Sequence, residues 1–258
     1  MTYVYDTGIA PCIEILPNGL YPNVWALHPS SGQAAQGGLP SCEPDIAIRT
    51  RRLAVPGPYG PPDVTFRVCT PAARDGLLPG LLYIHGEFTM GGIEQFDATT
   101  TRIATQVYAV VDSVEYRLAS ENPVPAEMED CYTALAWTAM SASELSIAPG
   151  RLGIAGDRAG GWLAAVVALL ARNRGGPALC FQYLRAADFG DRLRTPSTRP
   201  YDDVPMRNRL AKKGSWDVAS ARGNGAGNGA GNGAPHMYPP LPRPHTRRTR
   251  SAHRGFGA

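Results

Sequence analysis

Apolar residues follow two different patterns in the middle of the chain. Short apolar or alternating runs, typical of β-strands, are separated by longer segments in which apolar residues recur every three to four positions, as in amphipathic helices. Regular alternation of strands and helices predicts an α/β fold with a mainly parallel sheet flanked by helices. The predicted strands are 65–69, 81–85, 109–114, 151–155 and 179–184, and the predicted helices are 97–107, 126–143 and 161–172.

The two ends of the chain lack this periodicity. Residues 1–54 are rich in Pro, Gly and Ser, which predicts an N-terminal lead-in or partial cap before a partial α/β domain at 55–217. Residues 218–258 contain a tandem Gly, Asn and Ala repeat at 223–234, followed by a segment rich in Pro, Arg and His. Such a sequence has little to bury, so we expect a disordered tail in place of any later strands of the sheet.

Composition narrows the class of protein. The 258 residues carry a net charge of +3 and contain no apolar stretch of the roughly 20 residues that a membrane span needs. The first residues lack the pattern of a signal peptide, which favours a cytoplasmic location. The odd number of cysteines and their spacing predict free thiols, with neither a metal nor a cofactor. The five are Cys12, Cys42, Cys69, Cys131 and Cys180.

One short motif lies between a predicted strand and a predicted helix. Residues 156–160 read Gly-Asp-Arg-Ala-Gly, which differs only at its centre from the Gly-x-Ser-x-Gly turn that exposes a serine nucleophile. Arg158 has no hydroxyl, and its guanidinium stays charged. Both Arg158 and His85 follow predicted strands, at the sheet edge where α/β proteins bind ligands. The glycines Gly156 and Gly160 are expected where the turn has no room for a Cβ.

Four segments together carry a resemblance to a known family. They are 81–86 with Met90-Gly91, 113–125, 129–137 and 156–161, with a fainter continuation to residue 216. They resemble the hormone-sensitive-lipase-like branch of the α/β-hydrolases, which includes bacterial carboxylesterases and lipases. The resemblance implies an α/β-hydrolase fold, hydrolysis of carboxylic esters and a place in lipid metabolism. It also implies a small acyl-ester or carboxylate ligand.

The resemblance assigns roles to the motif residues. Arg158 stands at the position of the family's nucleophile serine, within the turn formed by Gly156, Asp157 and Gly160. The oxyanion-hole region corresponds to His85, Gly86 and Glu87, together with the N–H of Ala159. In an intact relative, a serine at 158 would attack an acyl ester of short to medium chain, and a distal acid and histidine would handle the proton.

Three departures from the family pattern predict an impaired or inactive enzyme, a pseudoenzyme. Arg158 replaces the serine. In the oxyanion motif one glycine is missing and Glu87 replaces another, so that a carboxylate would repel the developing oxyanion. The remaining histidines, His236, His245 and His253, lie in the aperiodic tail, so neither the acid nor the histidine of a triad is identifiable.

Other residues could replace the missing serine only with difficulty. Asp157 plays a supporting part in the family, and Ser113 is expected in a loop without a base. Cys131 and Cys180 are expected to be buried packing residues. The side chain of Arg158 has two possible partners: an anionic ligand, or Glu87 in a salt bridge that would neutralise the pocket.

Two non-catalytic functions remain open alternatives. The chain could bind a small ligand in a remnant pocket, or it could interact through its basic tail, where five arginines lie between residues 243 and 254. The tail has few aromatic residues for base stacking, which makes nucleic acid an unfavoured partner. A shifted reading frame would produce a similar tail composition. The residues indicate no particular oligomeric state.

Overall fold

The computed structural model describes residues 46–190 except 74, 120 and 123, then residues 193, 195, 196 and 209–219. The chain divides into two units, Met1–Gly225 and Ala226–Ala258, and all described residues belong to the first. Most of the predicted lead-in and nearly all of the predicted tail therefore lie outside the described residues. The elements are β1 Ile48–Val55, β2 Val64–Pro71, β3 Leu78–Ile84, a 3-10 turn Ile93–Phe96, α1 Asp97–Gln106, β4 Val110–Glu115, α2 Ala126–Met140, β5 Ile147–Asp157, α3 Ala159–Asn173, β6 Phe181–Arg185 and α4 Arg209–Ala219.

Six strands form one sheet in the order β1-β2-β4-β3-β5-β6. Strands β4, β3, β5 and β6 run parallel to one another, while β2 pairs antiparallel with both β1 and β4. Tyr83 in β3 lies opposite Ser113 on one side and Ala155 on the other, so β3 is central. The predicted mainly parallel α/β sheet is confirmed.

Helices cover the two faces of this sheet. Alternate residues of the central strands, Leu81, Tyr83, Val111 and Ala155, form a buried cluster with Ala104 of α1. Phe66 of β2 points to the opposite face, where its ring lies 4.6 Å from that of Trp137 in α2. Helix α3 contacts α2 as well as strands β3, β5 and β6. Both faces of the central strands are therefore buried, which explains their continuous apolar runs.

Several elements differ from the sequence expectation, and strand β5 for example begins at Ile147 rather than at 151. Strand β1 begins at Ile48 and crosses residue 54, so the sheet starts within the predicted lead-in. Most of its residues are exposed and three are arginines, so the strand shows no apolar pattern. Helix α2 ends at Met140 rather than 143. Helix α4 was not predicted as a helix, and it crosses the predicted boundary at 217.

Strand β6 lies at the edge of the described sheet. Among the described residues it pairs only with β5, and the side chains of Phe181 and Tyr183 are 47% and 57% exposed. An exposed apolar edge of this kind is an aggregation hazard. The prediction that Cys180 is buried inside a strand is wrong: it precedes β6 and is exposed, because no further element covers this edge in the described part of the chain.

No helix in the described part of the chain is long and apolar enough to cross a membrane.

Candidate functional site

The motif at 156–160 forms a sharp turn, called the elbow below. Strand β5 ends at Asp157, helix α3 begins at Ala159, and Arg158 between them has φ +50° and ψ −113°. Residues other than glycine rarely adopt a positive φ, and strained backbone of this kind is concentrated at functional sites. The N–H of Arg158 donates to the carbonyl of Arg185 at 2.8 Å, and its own carbonyl accepts from the N–H of Asp188 at 3.2 Å. Hydrogen bonds on both sides therefore hold the strained residue.

The two glycines of the elbow are sterically required. A Cβ on Gly156 would lie 2.2 Å from the carbonyl oxygen of Gly160. A Cβ on Gly160 would lie 2.1 Å and 2.2 Å from the carbonyl oxygens of Ile84 and His85. Distances below 3.0 Å leave no room for a side chain, which confirms the steric reason inferred from the sequence.

Asp157 anchors the elbow. Its buried carboxylate accepts a hydrogen bond from the hydroxyl of Tyr83 at 2.8 Å and another from Nε of Arg185 at 2.7 Å. Burial, and secondarily the Asp157 charge, raises the pKa of the Tyr83 hydroxyl, which stays protonated and remains a donor. Both carboxylate oxygens are engaged, so Asp157 supports the turn and is poorly placed to act as a nucleophile.

The neighbouring segment, residues 85–92, is called the glycine loop below and begins with a buried histidine. The His85 ring stacks between those of Tyr116, at 4.3 Å, and Phe96, at 5.7 Å. Its Nδ1 lies 2.9 Å from the carbonyl oxygen of Gly86. Burial lowers the pKa of His85 to about 4, so the ring is neutral near pH 7. These contacts agree with a role in shaping the loop.

Tyr116 is a site residue that the sequence did not single out. Its hydroxyl lies 3.0 Å from the carbonyl oxygen of His85 and 2.8 Å from that of Glu87, so it can donate to either. It follows β4, next to the end of β3, and was part of a segment that carried the family resemblance. No local pattern could reveal that its hydroxyl reaches the glycine loop.

Glu87 and Arg158 form an ion pair across the site. Nη1 of Arg158 lies 2.8 Å from Oε1 of Glu87, and the two side chains are 53% and 24% exposed, respectively. Gly86 brings the glycine loop close to the elbow, because a Cβ there would lie 3.2 Å from the carbonyl oxygen of Asp157. Of the two partners considered for Arg158, the structure contains the glutamate.

Three aromatic rings from the glycine loop, α3 and α4 pack together, and no pattern in the sequence indicated this cluster. Phe88 follows Glu87, Trp162 lies one turn into α3, and Trp216 belongs to α4. The ring centroids are 5.0 to 5.5 Å apart, and all three residues are buried. Helix α4 therefore packs against both the glycine loop and the first turn of α3.

The structure does not bring together a complete set of catalytic groups among the described residues. Ser113 is buried within β4, which agrees with the predicted strand 109–114 and corrects the expectation that this serine lies in a loop. Cys131 is buried in α2 as expected, and burial raises the pKa of its thiol. His236, His245 and His253 lie outside the described residues. The described ranges contain no group of three potential metal ligands.

Comparison with known families places this geometry in a class. A family model described as alpha/beta hydrolase fold matches residues 81–227, more than half of the chain. The match includes both the glycine loop and the elbow. The chain belongs to the α/β-hydrolase fold family, in the hormone-sensitive-lipase-like branch that its motifs indicated.

Several relatives within this class are described as esterases. Carboxylesterase NlhH of Mycobacterium tuberculosis is 38% identical over 171 residues, which are 66% of this chain and 53% of that protein. Esterase LipI of the same organism is 41% identical over 140 residues, 53% of this chain and 43% of LipI. The solved Bacterial Heroin Esterase matches with a TM-score of 0.70 and 34% identity over 83% of this chain and 67% of its own. The chain thus spans about half the length of the curated relatives it matches.

Proposed function

We propose that this chain is an esterase-type α/β-hydrolase in which ester hydrolysis is impaired or lost. The observation that carries the proposal is Arg158 at the strained centre of the elbow, where the resemblance expects a serine. A guanidinium has no hydroxyl to acylate and does not act as a general base near neutral pH. The backbone of the turn is retained while the nucleophile is replaced.

Glu87 adds a second obstacle to ester hydrolysis. The N–H of Ala159, in the first turn of α3, is the proposed oxyanion donor together with N–H groups of the glycine loop. One such donor contributes roughly 3 kcal/mol to transition-state stabilisation. A carboxylate in the same loop opposes a developing negative charge, so replacing Arg158 alone would leave the site unfavourable.

The proposal is tested with p-nitrophenyl butyrate on the parent chain, Arg158→Ser and Arg172→Ser, an exposed arginine at the other end of α3 used as the matched control. We expect the parent and the control to hydrolyse the ester at the uncatalysed rate, and Arg158→Ser to stay within about tenfold of it. Turnover by the parent would overturn the proposal. A rise of several hundredfold in Arg158→Ser would show that the serine alone was missing.

The exposed guanidinium supports a second candidate function, binding of a small carboxylate. Arg158 is half exposed at the carboxyl ends of β3 and β5, where ligands bind in such sheets. Arginine pairs with carboxylates through two parallel hydrogen bonds. Saturable binding of butyrate that Arg158→Ala abolishes would support this function, and equal binding by both proteins would reject it.

Interaction through the basic tail, a cytoplasmic location and a role in lipid metabolism stay predictions. The tail lies outside the described residues. If it binds nucleic acid, affinity should fall steeply with salt and disappear when residues 235–258 are deleted. Binding that survives this deletion would reject the tail as the binding element.

A further inference from the structure

The two residues of the ion pair share an unusual backbone. Glu87 has φ +74° and Arg158 has φ +50°, both in the left-handed region that favours glycine. The ion pair offsets little of such strain, because the Arg158 side chain is 53% exposed and water screens its charge. Stability of the fold is therefore a poor reason for a glutamate at position 87, and strain of this kind points to function.

The backbone on both sides of the ion pair is fixed. Ile84, at the end of β3, lies opposite Gly156 of β5, so the glycine loop and the elbow follow neighbouring parallel strands. The hydroxyl of Tyr116 holds the carbonyl of Glu87 at 2.8 Å. The carbonyl of Arg185 holds the N–H of Arg158 at 2.8 Å. The ion pair can therefore open by side-chain rotation while the loop and the elbow stay in place.

The contact with Glu87 leaves the guanidinium able to bind another carboxylate more strongly. The hydrogen bond joins Nη1 of Arg158 to Oε1 of Glu87 at 2.8 Å, whereas a guanidinium carries five N–H donors in a planar fork. A free carboxylate can approach that fork with both oxygens. Glu87 is tied to a fixed backbone and is the negative group already placed against it.

We propose that Glu87 is an internal ligand of Arg158 that competes with small monocarboxylates for the guanidinium. The inference rests on the second candidate function above, and it adds the regulation of that site. The ligand class is a small monocarboxylate, the kind of acid that hydrolysis of an acyl ester releases. Removing the Glu87 carboxylate should strengthen carboxylate binding, and removing the Arg158 guanidinium should abolish it.

The test measures butyrate binding by titration calorimetry at constant ionic strength, adjusted with chloride. Glu87→Gln should bind butyrate about fivefold more tightly than the parent, because the competing charge is gone. Glu87→Gly should show the same increase in butyrate affinity, and glycine also suits the positive φ at this position. The double variant Glu87→Gln/Arg158→Ala should show no saturable binding. Glu144→Gln is the matched control, since Glu144 is an exposed partner of Arg51 on another part of the surface.

Each outcome decides the proposal. Equal affinity in the parent and in Glu87→Gln would overturn the internal-ligand role while leaving carboxylate binding itself standing. No saturable binding by Glu87→Gln or Glu87→Gly, in samples that melt cooperatively, would overturn both. Ester turnover by the parent would instead overturn the impaired-hydrolase proposal and leave the butyrate result unaffected.

Discussion

The elbow and the glycine loop face each other across the same end of the sheet, yet they differ in what they retain. The elbow keeps both glycines that its backbone requires, and only its central residue, Arg158, departs from the nucleophile turn. The glycine loop holds Glu87 at a φ of +74°, where the backbone favours glycine. Apart from its centre, the elbow therefore has the residues that its backbone requires, whereas the glycine loop has a glutamate where its backbone favours glycine.

The difference concerns how tightly the surrounding structure constrains the residue at each position. The elbow glycines are fixed by contacts with the central strands, so losing them would damage the fold. Glu87 is partly exposed, and its replacement costs the fold little. Steric constraint on the side chain is therefore strict at the elbow glycines and weaker at Glu87.

The largest effect is expected from Gly160→Ala in the elbow. Its Cβ would lie 2.1 Å from the carbonyl oxygen of Ile84, so we expect the free energy of unfolding to fall by about 4 kcal/mol or more. The control is Gly150→Ala, where φ is +71° but nothing lies within 4 Å, and the expected loss is about 1 kcal/mol. Equal losses in urea unfolding would show that the elbow is not sterically constrained.

The next effect concerns His85 and pH. Burial lowers its folded-state pKa to about 4, below its ordinary value of 6.5, so its stabilising contribution is present above pH 6.5 and is lost as the pH falls towards 4. Between pH 7 and 4 the parent should lose about 3 kcal/mol more than His85→Phe. Burial raises the pKa of Asp112 and of Glu127 to about 7, so both carboxyl groups stabilise the fold at acid pH. This contribution is the same in the parent and in His85→Phe, and it cancels when the two proteins are compared. Parallel pH profiles would contradict the buried neutral histidine.

A smaller effect is expected from Tyr116→Phe. The change removes the hydroxyl that can donate to the carbonyls of His85 and Glu87, and the free energy of unfolding should fall by about 1 kcal/mol. Amide hydrogen exchange should become faster in the glycine loop but not in the elbow. Tyr108→Phe, which removes an exposed hydroxyl, serves as the control. Faster exchange in both segments would mean that they open as one unit.

The smallest effect is expected from Glu87→Gly. The variant loses an exposed ion pair and regains a residue suited to φ +74°, two changes of up to about 1 kcal/mol each with opposite sign. The free energy of unfolding should stay within about 0.5 kcal/mol of the parent. Glu87→Ala loses the pair but keeps the strain, so it should be the less stable of the two. If the alanine variant is equally stable, the left-handed backbone carries no cost.

Local patterns in the sequence predicted the parts of the molecule that depend on neighbouring residues. The apolar runs of β3 and β4 and the long periodic segment of α2 gave the central sheet and a covering helix. The glycine spacing at Gly156 and Gly160 gave the elbow, because its steric conflict arises largely within a few residues and the strand beside it.

Other features depend on residues far apart in the chain, and the sequence did not reveal them. Strand β1 carries exposed arginines at the sheet edge and so shows no apolar alternation. Phe88, Trp162 and Trp216 meet only because three separate segments converge. The positive φ of Glu87 was likewise hidden, since a glutamate gives no sign of a left-handed backbone.

The most direct test of the account is a stopped-flow measurement of p-nitrophenolate release when the parent chain is mixed with excess p-nitrophenyl acetate. A serine hydrolase releases a rapid burst, close to one equivalent, as its nucleophile is acylated. With Arg158 at the centre of the elbow, we expect no burst and a linear rate equal to that of a buffer blank. A burst stoichiometric with the protein would contradict the account, since it would show that another residue forms an acyl-enzyme.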